Sequence, residues 1–312
     1  MKNKKMRDKQ VEEEIGSIRS TSATDFFNRA PDDLIVYILT KLSSTAGSPS
    51  DFISLLITCK RLNSLGQHPL VLSRASPESL AVKASNWSDS AHRFFKLCAD
   101  AGNVEACFCL GMIRFYCMQS HSSGVSLIAK AAIHAHAPAL YSLAVIQFNG
   151  SSCSKNDKDL GTGIALCARA ASLGHVDAFR ELGHCLQDGY GVRQNITEGH
   201  RLLMQANSVR SNSSSSSHLM GHPVNQFMVE WFRSRGQAEQ RMCRHIGCGR
   251  PEMRQNEFRR CSGCGIAKYC SRACQAVDWK LQHKVQCALL EQWLHDGDVE
   301  DENDDDEIVV RS

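Results

Sequence analysis

The sequence predicts a mainly helical chain of several modules, and three observations carry that prediction. Alanine and leucine recur through the middle of the chain in a helical pattern whose key alanines, 106, 139 and 178, lie 33 and then 39 residues apart. Apolar residues near the start, at 34, 35, 38, 39 and 42, fall on one face of a helix. Seven of the 15 cysteines crowd into positions 243–287, with His283 completing a set of eight donors, in a segment too short to bury much core and with room for little β structure. The 42% apolar content suits a globular chain, and no run approaches the roughly 18 apolar residues of a membrane helix. No apolar stretch follows Met1-Lys-Asn-Lys-Lys-Met-Arg, so the expected setting is the nucleus and/or cytoplasm, where thiols stay reduced.

Residues 1–22 read as a disordered basic leader, with Lys2, Lys4, Lys5, Arg7 and Lys9 ahead of Glu12 to Glu14. The first module is expected over 23–80. Pro31 suits a helix start, and Asp32 and Asp33 complement the positive end of the helix dipole. Leu34, Ile35, Ile38, Leu39 and Leu42 then form one apolar face, followed by a Ser/Thr/Gly/Pro loop at 43–50 and a second helical segment running from Asp51 through Asn63. Pro31-Asp-Asp-Leu, then Ile38-Leu39, then Cys59-Lys-Arg-Leu-Asn resembles an F-box over about residues 25–75, although Ala30-Pro31 stands where that family usually has Leu-Pro. The resemblance implies a three-helix fold that docks the Skp-type adaptor of a cullin ubiquitin ligase. It further implies that Pro31, Leu34, Ile38, Leu39 and Leu42 share that contact with the module's own core.

From 81 to 207 the chain repeats itself. Ala101-Gly-Asn-Val-Glu-Ala106 with Leu110-Gly111 corresponds to Ala135-His-Ala-Pro-Ala139 with Leu143-Ala144, and to Leu173-Gly-His-Val-Asp-Ala178 with Leu182-Gly183. A second helix follows each copy, at 124–132, 163–171 and 198–207. Small alanines let paired helices approach, and the leucines fill the space between them. This pattern, with Gly189-Tyr-Gly-Val-Arg-Gln-Asn as the best-preserved inter-helix loop, resembles the Sel-type repeat, a relative of the tetratricopeptide repeat. The resemblance implies an α-solenoid with a concave surface for protein partners. Cys98, Cys107, Cys109, Cys117, Cys153, Cys167 and Cys185 read mostly as small buried hydrophobes.

Residues 208–221, with serine at all of 213–217, read as a linker. Residues 222–240 read as a connecting amphipathic helix with Phe227, Met228, Trp231 and Phe232 on one side, docked on the repeats or on the cysteine-rich module. In that module, at 241–287, the stations Cys243/Cys248, Cys261/Cys264, Cys270/Cys274 and His283/Cys287 supply eight donors, enough for two tetrahedral zinc ions. Spacing alone allows three partitions into two sites. Closed four-ligand sites also leave no position for a substrate. Tyr269-Cys270-(three)-Cys274-Gln275-(two)-Asp278-Trp279-(three)-His283-(three)-Cys287 resembles the MYND-type zinc finger. The resemblance implies cross-bracing: Cys243, Cys248, Cys270 and Cys274 around one zinc, Cys261, Cys264, His283 and Cys287 around the other. It also implies that Gln275 and Trp279 flank a groove for proline-containing peptides; Trp279 could equally be the core of a very small domain. His245 is expected to face solvent or to stand behind the ligands. Removal of metal is expected to unfold this module while leaving the helical signal of the repeats.

The finger carries ten Lys/Arg against three Asp/Glu, formally +7, and seven thiolates with two zinc ions reduce this to about +4. Basic residues therefore partly neutralise the metal centres, and without a recognition helix nucleic acid is not an expected partner. The last stretch, 288–312, reads as a disordered acidic tail with nine acids between Asp296 and Glu307; Ile308-Val309-Val310 faintly resembles a SUMO-interacting segment.

Taken together the modules resemble a family of plant F-box proteins with Sel-type repeats and a MYND finger. The resemblance implies a substrate-recognition subunit of an SCF-type ligase, with no bond chemistry on this chain. No nucleophile elbow, Walker loop or H-E-x-x-H is present. A nuclear co-regulator scaffold recruiting proline-containing peptides is the alternative. The methyltransferases that carry MYND fingers need a large β-rich domain for which the repeats leave no length.

Overall fold

The computed structural model describes residues 29–151, 158–211, 221–236 and 242–287. The basic leader, most of the serine stretch and the acidic tail with Ile308-Val309-Val310 lie outside the described residues. Two compact units divide the chain, one of residues up to 82 together with 88–107, the other of 83–87 and the residues from 108 onward.

The first unit opens with α1 (Asp32–Thr45), whose N-cap is Pro31 and whose first turn holds Asp32 and Asp33. Then come α2 (Pro49–Leu56), α3 (Lys60–Gly66) and α4 (Pro69–Ser73), where the sequence suggested a single second helix through Asn63. The break falls at Cys59, which turns extended (φ −155°, ψ 160°) and caps α3 by accepting the Leu62 amide on its sulfur. Ile35, Val36, Leu39, Phe52 and Val71 close the core, with Leu56, Leu62 and Phe94 packed against it. The expected single apolar face of α1 is therefore divided. Leu39, assigned by resemblance to a shared adaptor contact, is only 2% exposed and belongs to the core, whereas Leu34 and Leu42 are 42% and 40% exposed and Ile38 is half-buried. Arg61 ties α3 to the start of α1 through two bonds to Asp32 Oδ1 (2.5 and 3.0 Å) and one to the Ala30 carbonyl (2.6 Å).

Helix α5 (Asp89–Asp100) leads to α6 (Val104–Met112), the first helix of the repeat pattern. Asn103 caps α6 by accepting the Ala106 amide (2.8 Å), while its Nδ2 donates to the carbonyls of Leu72 (3.2 Å), Ser73 (3.3 Å) and Ala75 (2.9 Å). One buried amide thus reaches four backbone groups, its two N–H bonds shared among three carbonyls.

In the second unit a π-type turn, Ile113–Cys117, precedes α7 (His121–Ile133), and the pairs continue through α8 (Ala137–Asn149), α9 (Leu160–Ser172), α10 (Val176–Asp188) and α11 (Ile196–Ser211). Helix α11 continues four residues past the expected end at 207. His136 and His175 occupy the position that Asn103 holds in the first copy, each accepting an amide three residues on (3.2 Å to Ala139 and to Ala178). Ala106, Ala139 and Ala178 are fully buried, as the repeat pattern required. Glycine does as much for the close packing: a Cβ built on Gly199 would meet the Gly183 carbonyl oxygen at 2.7 Å, so these backbones can touch only without side chains. Burial pushes the Cys98 and Cys185 thiols up to about 12, which leaves them as inert packing groups.

Helix α12 (Pro223–Arg233) buries Val224, Phe227, Met228 and Phe232. Phe227 meets Trp87 edge-on (5.2 Å), and Glu230 accepts the Ala84 amide (3.0 Å). The other side of the helix meets the last module, where Asn225 Nδ2 donates to the Gly247 carbonyl (3.3 Å), so α12 serves both docking partners. That module contains a two-residue hairpin, β1 (Arg259–Arg260) paired antiparallel with β2 (Lys268–Tyr269), and then α13 (Arg272–Asp278) running into a π-type turn, Trp279–His283. Among the described residues no helix is long and apolar enough to cross a membrane.

Asn103→Ala removes a cap and the side-chain donor to the Leu72, Ser73 and Ala75 carbonyls, of which Leu72 still accepts the Ala75 amide. Urea denaturation should show a loss of about 2–3 kcal/mol; a loss below about 0.5 kcal/mol would mean that the amide does not join these segments.

Candidate metal centre and adjoining cleft

The folded module brings the eight donors into two sets, Cys243 with Cys248, Cys270 and Cys274, and Cys261 with Cys264, His283 and Cys287, the ligand atoms of each lying within 4.8 Å of one another. Of the three partitions open to the sequence, this is the cross-braced one. The stations interleave because the β1–β2 hairpin folds the chain back between them. Cys248 Sγ lies 3.4 Å and Cys274 Sγ 3.6 Å from Cys270 Sγ, and Cys264 Sγ is 3.5 Å from His283 Nε2. Tetrahedral zinc with Zn–S of about 2.3 Å sets its donors about 3.8 Å apart, so both sets fit. The finger takes two zinc ions, one on each set. His283 presents Nε2 to the cluster, and its pKa is held down by burial and by Arg244, which keeps the ring in the neutral form a ligand needs.

Four buried sulfurs need a counter-charge, and the structure supplies one. Arg250 is 4% exposed; its Nη1 donates to Cys248 Sγ (3.5 Å) and its Nη2 to Ser142 Oγ on α8 (2.9 Å). Burial opposes its charge, but the Cys248 and Cys270 thiolates hold the guanidinium well above its ordinary pKa. The Cys248 thiol is held well below its usual range by hydrogen bonds from Cys243, Cys270 and Cys274. Asp278, fully buried, braces the second set by accepting from Tyr269 Oη (2.8 Å) and Gln282 Nε2 (3.0 Å).

A buried polar seam joins the finger to the repeats. Asn149 Nδ2 donates to the Cys270 carbonyl (2.9 Å), and Tyr141 Oη meets Ser271 Oγ (3.1 Å), which itself caps α13 through the Cys274 amide (3.1 Å). Glu181 of α10 accepts the Ala273 amide (2.8 Å). Burial pushes the Glu181 carboxyl up, while that amide and Arg272 pull it back. Ser151 bonds Glu257, and Arg254 bonds the Asn149 carbonyl. The finger expected beyond a flexible linker is docked on α8 and α10. In the sequence the seam left no signal beyond the isolated polar side chains of Ser142, Asn149 and Glu181 at buried repeat positions, which name no partner.

Gln275 and Trp279 border a cleft of about 510 Å³. Gln275 is half-buried and Trp279 is 39% exposed, one side of its ring set against His283 (5.8 Å between centroids). Tyr269, fully buried, fills the finger's core in place of Trp279. The cleft is not made by the finger alone: His184 and Asp188 of α10 line it together with Arg259, Arg272 and Lys280 of the finger. Arg272 donates to Asp188 (3.1 Å) and stacks on Tyr190 (4.0 Å). None of these wall residues stood out in the sequence, because nothing local announces which repeat helix will face a distant module. His245 takes no part in either donor set and lines a smaller cavity of about 170 Å³ beside the first one.

Metal analysis should return two zinc ions per chain and about one in either Cys274→Ser or Cys287→Ser. Zinc content should fall with falling pH, since thiolates and imidazole must lose protons to bind and regain them in acid. A wild-type content well below two, or no drop in either variant, contradicts the assigned donor sets.

A family profile described as "Plant tetratrico peptide repeats" matches residues 78–160, and the MYND finger profile matches 243–287. F-box protein At1g67340 of Arabidopsis thaliana is 54% identical over 89% of this chain and 85% of its own length. F-box protein At5g50450 of the same plant is 56% identical over 88% and 89%. Among solved structures, the Sel1 repeat protein from Oxalobacter formigenes overlays 64% of this chain and 84% of its own with a TM-score of 0.39 at 16% identity, too loose to add to the helix pairing described above. The chain belongs to the family of plant F-box proteins that join tetratricopeptide-type helical repeats to a MYND finger.

Proposed function

We propose that this chain is the substrate receptor of an SCF-type ubiquitin ligase, its first unit binding a Skp-type adaptor while the repeats and finger hold the protein to be modified. One observation carries the adaptor half. The core of the first unit closes on Ile35, Val36, Leu39, Phe52 and Val71, and yet Leu34, Tyr37 and Leu42 of α1 stay 42%, 60% and 40% exposed. A helix that has satisfied its own core and still offers large apolar side chains is suited to a protein partner. The names of the two Arabidopsis relatives support the same reading. Pro31 and the half-buried Ile38 extend this surface; Leu39 supports it from beneath.

For the substrate half, the cleft beside Gln275 and Trp279 offers an aromatic ring open on one side and a side-chain amide, suited to a proline-containing peptide. Each zinc set consists of four protein donors, so the metals brace this surface and leave no coordination position for reaction. Ubiquitin transfer falls to the other ligase subunits. Nucleus and cytoplasm both suit this role.

Co-purification with a Skp-type adaptor tests the reading. Wild type should retain the adaptor, and Leu34→Asp/Leu42→Asp should weaken retention by roughly tenfold or more with unchanged helical signal, because both side chains lie outside the core. No recovery with wild type, or equal recovery with the folded double variant, would sink it.

A further inference from the structure

Resting on the reading of the cleft as a peptide groove, we infer that it selects peptides carrying an acidic residue beside the proline, and that Asp188 on repeat helix α10 limits the strength of that preference. Charge is what decides it. Arg259, Arg272 and Lys280 face the cleft, and Asp188 is the one carboxylate in its wall. That carboxylate is already engaged by Arg272 Nε (3.1 Å), and the same guanidinium lies 4.0 Å from Glu181 and over the Tyr190 ring. Arg272 and Asp188 therefore neutralise each other at the wall.

Two cations are left. Lys280 Nζ donates to the neutral Oδ1 of Asn207 (3.2 Å), and Arg259, exposed on β1, hydrogen-bonds no carboxylate among the described residues. The zinc set behind Cys261 and Gly263 carries one formal negative charge, from three thiolates against one divalent ion, so the lining side chains with that set sum to about +1, while Glu181 lies buried behind Arg272 and outside the lining. An incoming Asp or Glu meets two cations that no carboxylate hydrogen-bonds, although Asp188 and Glu181 act on Arg259 through space, whereas Lys or Arg meets them as repulsion. A proline against the open side of Trp279 would place its neighbours within reach of both. Because α10 belongs to the repeats, the preference is a property of the docked pair and not of the finger alone.

Fluorescence anisotropy on the full-length, zinc-loaded chain tests this with two synthetic ten-residue peptides that share their prolines and differ only in carrying Glu or Gln beside them. The Glu peptide should bind about fivefold more tightly at low salt. The gap should close in 0.5 M NaCl and in Arg259→Gln/Lys280→Gln, and should widen in Asp188→Asn, where Arg272 is released. The salt and Asp188 arms decide the matter even if the double variant fails to fold. Equal binding of both peptides, lost in Trp279→Ala, would overturn the acidic preference and leave the groove reading standing. No binding of either peptide would overturn both. The chain's own acids between 296 and 307 bear the same chemistry: a tenfold gain in Glu-peptide affinity on their replacement by Asn and Gln would assign the cleft to that segment and overturn an external ligand, and unchanged affinity supports one.

Discussion

A buried guanidinium between a thiolate cluster and a repeat helix holds the second unit together. Arg250 spans from Cys248 to Ser142, so the charge that makes the first zinc set tolerable in a dry environment is also a bond to α8. A buried charge stripped of its partner is costly, of order 3–5 kcal/mol, whereas a paired one contributes mainly by fixing a single geometry. Zinc sets that geometry. With the four sulfurs drawn together, Arg250, Ser271 and the Cys270 carbonyl meet α8, and the Ala273 amide meets Glu181 of α10. Without metal each of these groups would lose its position at once, and buried donors and acceptors on the repeat side would lose their partners.

The finger and the repeats consequently share one surface. The cleft beside Trp279 takes one wall from α10, so its lining belongs to both modules. Two closed metal sites fit this role because they hold a surface in place without chemistry of their own. The first unit has a different logic: its core is aliphatic and aromatic, and its surplus apolar side chains are turned outward.

Much of this was legible in the residues. Ligand spacing gave the eight donors, a resemblance supplied their partition, and the periodic alanines marked the helix pairs. Three things were hidden for physical reasons. An amphipathic pattern does not say how a helix divides its apolar face between its own core and a partner, so Leu39 and Leu34 looked alike. Glycines such as Gly183 and Gly199 carry no side chain to enter a hydrophobic count, yet they decide how closely two backbones approach. The polar seam joins residues separated by 92 to 130 positions, as between Glu181 and Ala273 or Tyr141 and Ser271, and no local pattern encodes such a pairing. A serine-rich stretch says that the chain can bend there, not that the finger beyond it stands apart.

The dependence of the repeats on the finger's metal is the point on which the account turns, and it departs from the expectation that chelation would spare them. Amide hydrogen exchange of the full chain, monitored by mass spectrometry with zinc bound and after chelation, measures it directly. Protection should fall in 139–149 and 176–188 together with 242–287, because the carbonyl, hydroxyl and carboxylate partners on α8 and α10 lose their bonds when the sulfurs part. Free exchange in the finger alone, with both helices protected as before, would contradict the account.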